Sequence, residues 1–140
     1  VKDQGIWPQP YRDKRDAPDL VALGNSQLDF LDIHFYRARK TIDLTDCFRS
    51  NMKSSLVDSP EMSHILQSKP VILGEFGAFR FVESDMAEVV PNMLKICDLA
   101  RNEGLKGFMF WTYDTAEQPT LFHATEGAEV LLNALGKEAE

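Results

Sequence analysis

The segment Lys69-Pro-Val-Ile-Leu-Gly-Glu-Phe-Gly77 holds one carboxylate, Glu75, at the end of an otherwise apolar run. An ionised carboxylate in such a run is costly unless it is paired or has a chemical task. Glycines at 74 and 77 flank it, and small neighbours leave room for a ligand to approach. A strand-end glutamate in a structural salt bridge is the bland alternative; position and flanks favour function. A second run, Leu28-Asp-Phe-Leu-Asp-Ile-His-Phe-Tyr36, ends in an imidazole and a phenol. His34 and Tyr36 are two apart and share one face of a strand. His34 could orient a carboxylate or bind substrate, or be a buried histidine satisfied by a backbone carbonyl. Tyr36 could donate its hydroxyl to Glu75. Asp32 shares this face but lies deeper, which fits a structural role. A third run, Leu105-Lys-Gly-Phe-Met-Phe-Trp-Thr-Tyr113, ends in Trp111, a stacking platform or plain core. Asp114 and Glu117 follow as spare carboxylates, and His64 and His123 carry weak signals.

These residues need strands to hold them. The continuous apolar cores at 71–73 and 108–110 are the mark of strands buried on both faces of a parallel sheet. Pro70 fits a strand's first position, where a missing N–H is tolerated. Between the strands the pattern turns helical. Met86, Val89, Val90, Met93, Leu94, Cys97 and Ala100 form a stripe over residues 85–102. Asp85 with Glu88 resembles a capping box, Gly104 is a helix stop, and Pro91 either kinks this helix or starts its main body. A weaker helix is expected over 46–56. A last one is expected over 126–135, with Thr125 as N-cap and Gly136 as stop. Residues 1–27 read as a leading loop with a short helix near 19–23. Residues 28–140 then make three βα units. In such arrays functional groups gather at the carboxyl ends of the strands, where Tyr36, Glu75 and Trp111 fall.

The chain has 140 residues, with 15 Lys and Arg against 22 Asp and Glu, a net charge of −7. This acidic balance argues against nucleic-acid and anionic-membrane partners, which need clustered basic residues. No apolar run approaches the ~20 residues that span a bilayer. Cys47 and Cys97 lie in helical segments without zinc spacing, so two buried free thiols are the default, a single disulfide is the alternative, and no metal site is expected.

The segment at 69–77 resembles the nucleophile strand of glycoside hydrolase family 5, a family of retaining (β/α)8 glycosidases. Asp32-Ile-His-Phe-Tyr36 resembles that family's sixth strand, and Gly107-Phe-Met-Phe-Trp111 its eighth. The resemblance covers roughly residues 28–135 and implies the last part of a TIM barrel, strands six to eight. It implies Glu75 as nucleophile, Tyr36 as the group orienting it, and His34 and Trp111 as substrate-binding residues. No cofactor is implied. The family's acid/base glutamate follows an asparagine on the fourth strand. The only Asn-Glu pair here, Asn102-Glu103, falls at a helix end.

The expected function is therefore that of a fragment of a retaining hydrolase of β-glucans or β-mannans. It would carry the nucleophile without the acid/base and be inactive by itself. Its partner would be an oligo- or polysaccharide, and exposed sheet edges would favour a homodimer. An extracellular or periplasmic place follows from the resemblance alone. Two other readings stay open. One is a non-catalytic carbohydrate-binding or structural domain derived from such a barrel. The other is a metal-dependent hydrolase using His34, Glu75, Asp114 and His123.

Overall fold

The structure is a computed structural model that describes residues 25–52, 67–113, 118–126 and 129–138. Strands and helices alternate: β1 (Leu31–Tyr36), α1 (Leu44–Met52), β2 (Val71–Gly77), α2 (Met86–Asn102), β3 (Gly107–Phe110) and α3 (Val130–Glu138). The three strands form one sheet in the order β1-β2-β3, with both pairings parallel. This is the α/β arrangement expected from the apolar cores. The sheet is open, and the described strands do not close into a barrel. Among them, β1 and β3 are each paired on one side only. No helix among the described residues is long and apolar enough to cross a membrane.

One apolar core joins the sheet to the helices. Leu31 and Phe35 of β1 and Val71, Leu73 and Phe76 of β2 pack with Phe48, Met52, Val89, Met93, Ile96 and Leu131. Phe35 meets Phe48 of α1 edge-on, with ring centroids 5.0 Å apart. Phe76 takes Phe108 and Phe110 of β3 edge-on at 6.3 and 5.8 Å. Alternation then turns Asp32, His34, Met109 and Trp111 to the opposite face. That face is open at β3, where Met109 is 55% exposed.

Helix ends follow local hydrogen bonding. Asp85 caps α2 by accepting from the Glu88 N–H at 3.1 Å, and Glu88 reaches back to the Ser84 N–H at 2.9 Å. The reciprocal box is thus completed one residue earlier than the simple pattern. Gly104 ends the helix with φ of 84°, a value that costs glycine little. Pro91 neither starts nor ends α2. It sits exposed inside the helix, where it deprives the Ala87 carbonyl of its intrahelical donor.

The other two helices differ from expectation. Helix α1 begins two residues early because the Asp43 carboxylate accepts from the Thr45 and Asp46 N–H groups. These bonds hold its carboxyl below the usual carboxylate range. The expected extension over 53–56 and the helix at 19–23 lie outside the described residues. Helix α3 begins at Val130, so Thr125 is not its cap; the Thr125 hydroxyl donates to the Tyr113 carbonyl at 3.4 Å. Glu126 is taken up by Arg80 and by the His123 N–H, which ties residues 123–126 into a separate turn. Gly136 lies within the helix and does not stop it. No disulfide joins Cys47 and Cys97.

Candidate active site

A bulge sets the site. Ile33 pairs with Leu73, but the next residue, His34, pairs with Glu75, so Gly74 is an extra residue in β2. The pairing of β2 with β3 shifts over the same stretch. Strict alternation from buried Leu73 would aim Glu75 at the helices. The extra residue resets the alternation, placing Glu75 beside His34 and returning Phe76 to the core. Glycine suits position 74 because a Cβ there would overlap the end of the Asp32 side chain, which would have to turn aside from His34. A Cβ at Gly77 would likewise overlap the Trp111 carbonyl. The space at these glycines is therefore filled by the chain itself and is not left for a ligand.

Both Glu75 oxygens are engaged. The Tyr36 hydroxyl donates to Oε1. The His34 ring presents Nδ1 at 3.2 Å from Oε2. The other ring nitrogen, Nε2, lies 3.2 Å from Oδ2 of Asp32. The imidazole thus stands between two carboxylates and fixes the roll of its neighbour. Burial, followed by the hydrogen bond and charge of Glu75, pushes the Tyr36 phenol far above its usual value, so it remains a donor. The Glu75 side chain keeps 25% of its surface exposed and His34 keeps 52%, so a ligand can reach both.

Trp111 follows β3 directly. Its N–H donates to the Phe76 carbonyl at 2.7 Å, which seats it beside the residues that follow Glu75. Its indole N–H donates to Gln118 at 2.9 Å, and the residue is 40% exposed. It is accordingly not core. The Trp111–Thr112 peptide is cis.

The structure brings Glu75, Tyr36 and His34 into contact and sets Trp111 at the adjoining strand end. It adds Asp32 to the cluster as the partner of His34, a role open to it because both share one strand face. His123 is turned to Glu126, with Nδ1 at 3.5 Å from the carboxylate. Asp114, Glu117 and His64 lie outside the described residues. No group of three metal-ligating side chains converges among the described residues, and His123 of the expected metal set is paired with Glu126 and not with His34 and Glu75. Asn102 closes α2 and Glu103 is its C-cap, on a helix end and not at a strand end.

Two residues with no mark in the sequence support the site. Arg37, next to Tyr36, donates to the Lys40 and Ile42 carbonyls at 2.8 and 2.6 Å and lies 3.5 Å from Glu83. Glu83 is buried in the loop after β2, so this ion pair links the loops that follow β1 and β2. Comparison with known protein families, with curated proteins and with solved structures finds no match to this chain.

Proposed function

We propose that this chain carries the nucleophile side of a retaining glycoside hydrolase acting on β-linked glycans, of β-glucan or β-mannan type. The observation that carries the reading is the Glu75 carboxylate, gripped on one oxygen by Tyr36 and on the other by His34, yet open to solvent. A carboxylate held in this way is oriented for attack and needs no reorganisation at the moment of reaction. It lies at the carboxyl end of parallel strands, where α/β folds place their chemistry. An exposed indole at the next strand end gives a sugar ring a face to stack on.

In this mechanism a Glu75 oxygen attacks the anomeric carbon. The bond to the leaving oxygen breaks and a glycosyl ester forms. Retaining chemistry also needs an acid about 5 to 5.5 Å away to protonate that oxygen and later activate water. The resemblance puts that acid on an earlier strand of a complete barrel.

An activated substrate tests the nucleophile without the acid. Dinitrophenolate leaves with its electron pair unprotonated, so a 2,4-dinitrophenyl 2-deoxy-2-fluoro-β-glycoside needs only Glu75. The expected result is one sugar ester on Glu75 by peptide mass mapping, absent in Glu75→Gln. Binding of oligosaccharide without labelling would favour the non-catalytic carbohydrate-binding reading.

A further inference from the structure

A row of aromatic rings leads away from the Glu75 cluster. Tyr36 packs on Phe79 with centroids 5.2 Å apart, and Phe79 stacks on Phe81 at 4.7 Å with an interplanar angle of 21°. The row ends in solvent, since Phe81 is 57% exposed. We propose that Phe81 is the platform for a further sugar ring of a β-linked oligosaccharide, beyond the ring attacked by Glu75. The inference rests on the glycosidase reading and names the part of the site that would bind the longer chain.

Exposure of one phenylalanine is ordinary. Its setting here is not. The turn that carries it is braced by the segment 119–126 and by its own backbone bonds. Phe79 makes an antiparallel bridge with Leu121, and the Arg80 N–H donates to the Thr120 carbonyl at 2.9 Å. The Arg80 guanidinium donates to the Pro119 carbonyl at 3.1 Å and to Glu126, and lies over the Phe122 ring. The Val82 and Glu83 N–H groups both return to the Phe79 carbonyl at 2.9 Å. Val82 and Glu83 are buried on the far side of the turn, and Arg37 ties Glu83 to the loop after Tyr36.

A large ring held out on so fixed a turn gains little stability from its exposed face. It does offer a preorganised flat surface, and such a surface binds at low entropic cost. Tyr36 belongs to both assemblies, since its hydroxyl is on Glu75 and its ring is on Phe79. That continuity selects the occupant. The ligand that meets Glu75 at one end presents its next rings along the same row, and the C–H face of a pyranose is apolar enough to lie on Phe81.

The test is an aromatic ¹H–¹³C NMR titration of the 140-residue chain with cellohexaose and with mannohexaose. Resonances of Phe81 and Tyr36 are expected to shift together. Phe81→Ala is expected to weaken binding by about 2- to 10-fold, the scale of one aromatic stacking contact, and Phe81→Tyr to restore it. Phe81→Tyr keeps the stack on Phe79, so its thermal unfolding should match the parent, whereas Phe81→Ala gives up that stack and should unfold at a slightly lower temperature with the fold intact. Shifts at His34 and Trp111 with Phe81 silent, and unchanged affinity in Phe81→Ala, would overturn the platform and leave the glycosidase reading standing. Silence at every aromatic with both sugars would also overturn it. Labelling of Glu75 by the fluoroglycoside then decides whether that reading falls too.

Discussion

Tyr36 donates its hydroxyl to Oε1 of Glu75 from the neighbouring parallel strand, across 39 positions of sequence. The bond forms because Gly74 is an extra residue in β2, which brings position 75 opposite His34 and onto the face that Tyr36 shares. One contact thus depends on a strand pairing, a bulge and a rotamer at once.

That bond predicts a titration. The phenol is raised above its ordinary value of 10.0, first by burial and then by Glu75. The tyrosinate absorbance lost in Tyr36→Phe should therefore appear only well above pH 10, and in Glu75→Gln it should appear at lower pH. The sign for stability follows. The folded state keeps a proton that the unfolded state releases, so this contribution is whole below pH 10 and is lost as pH rises further. Urea midpoints from pH 9 to 12 should fall more steeply in the parent than in Tyr36→Phe.

Tyr36→Phe should also slow esterification of Glu75 by the activated fluoroglycoside. A hydrogen bond to a charged group is worth about 1.5–3 kcal/mol, so the expected loss is roughly 10- to 100-fold in labelling rate. An unchanged rate would remove Tyr36 as the orienting group.

The same reading separates leaving groups. The isolated chain should label with the dinitrophenyl glycoside but should not turn over a β-glucan, because general acid catalysis supplies about 10²- to 10⁴-fold. Steady hydrolysis of β-glucan by pure protein would place an acid within these 140 residues.

Gly77→Ala should cost about 1–3 kcal/mol, the scale of overpacking. The added methyl meets the Trp111 carbonyl, which is backbone and cannot rotate away. Gly74→Ala should cost less, since it meets the end of the Asp32 side chain, which can rotate away at the expense of its contact with His34. Chemical denaturation of the two variants checks the order.

Stability should also fall in acid. Asp43 and Glu88 are held below their ordinary values of 3.8 and 4.5, Asp43 by the N–H groups of α1 and Glu88 by Lys40 and the Ser84 N–H. Burial pushes Glu126 up, but Arg80 and the His123 N–H outweigh it and hold it below 4.5. For such groups the stabilisation is present above the unfolded value and is lost as pH falls through the folded one. The urea midpoint should therefore decline below about pH 4.5, and Glu126→Gln should flatten that decline.

Apolar runs made much of the frame legible. Val71 to Leu73 and Phe108 to Phe110 marked β2 and β3, and the stripe from Met86 to Ala100 with Asp85 and Gly104 marked α2 and both its ends. The convergence of Glu75 with Tyr36 and His34 was legible as a juxtaposition of strand ends. Its means was not, because nothing local distinguishes a bulge glycine from a strand glycine. The Arg37–Glu83 pair and the Phe79–Phe81 stack were hidden for a different reason. Each depends on how loops fold back, and loops carry no period. The start of α3 was misplaced because Glu126, a sound helix former, is drawn into a turn by Arg80, an attraction no local pattern contains.

The bulge at Gly74 also divides β2 into two inheritances. Before it, Val71 and Leu73 answer to the helices; after it, Glu75 answers to whatever enters from solvent, while Phe76 returns to the core. Were Gly74 to pair with His34 instead, with every residue kept and the bulge lost, Glu75 and Phe76 would exchange faces, burying a charge and offering a phenyl ring in its place. Which of two neighbouring side chains meets the solvent is thus decided by the register of pairing and not by either side chain.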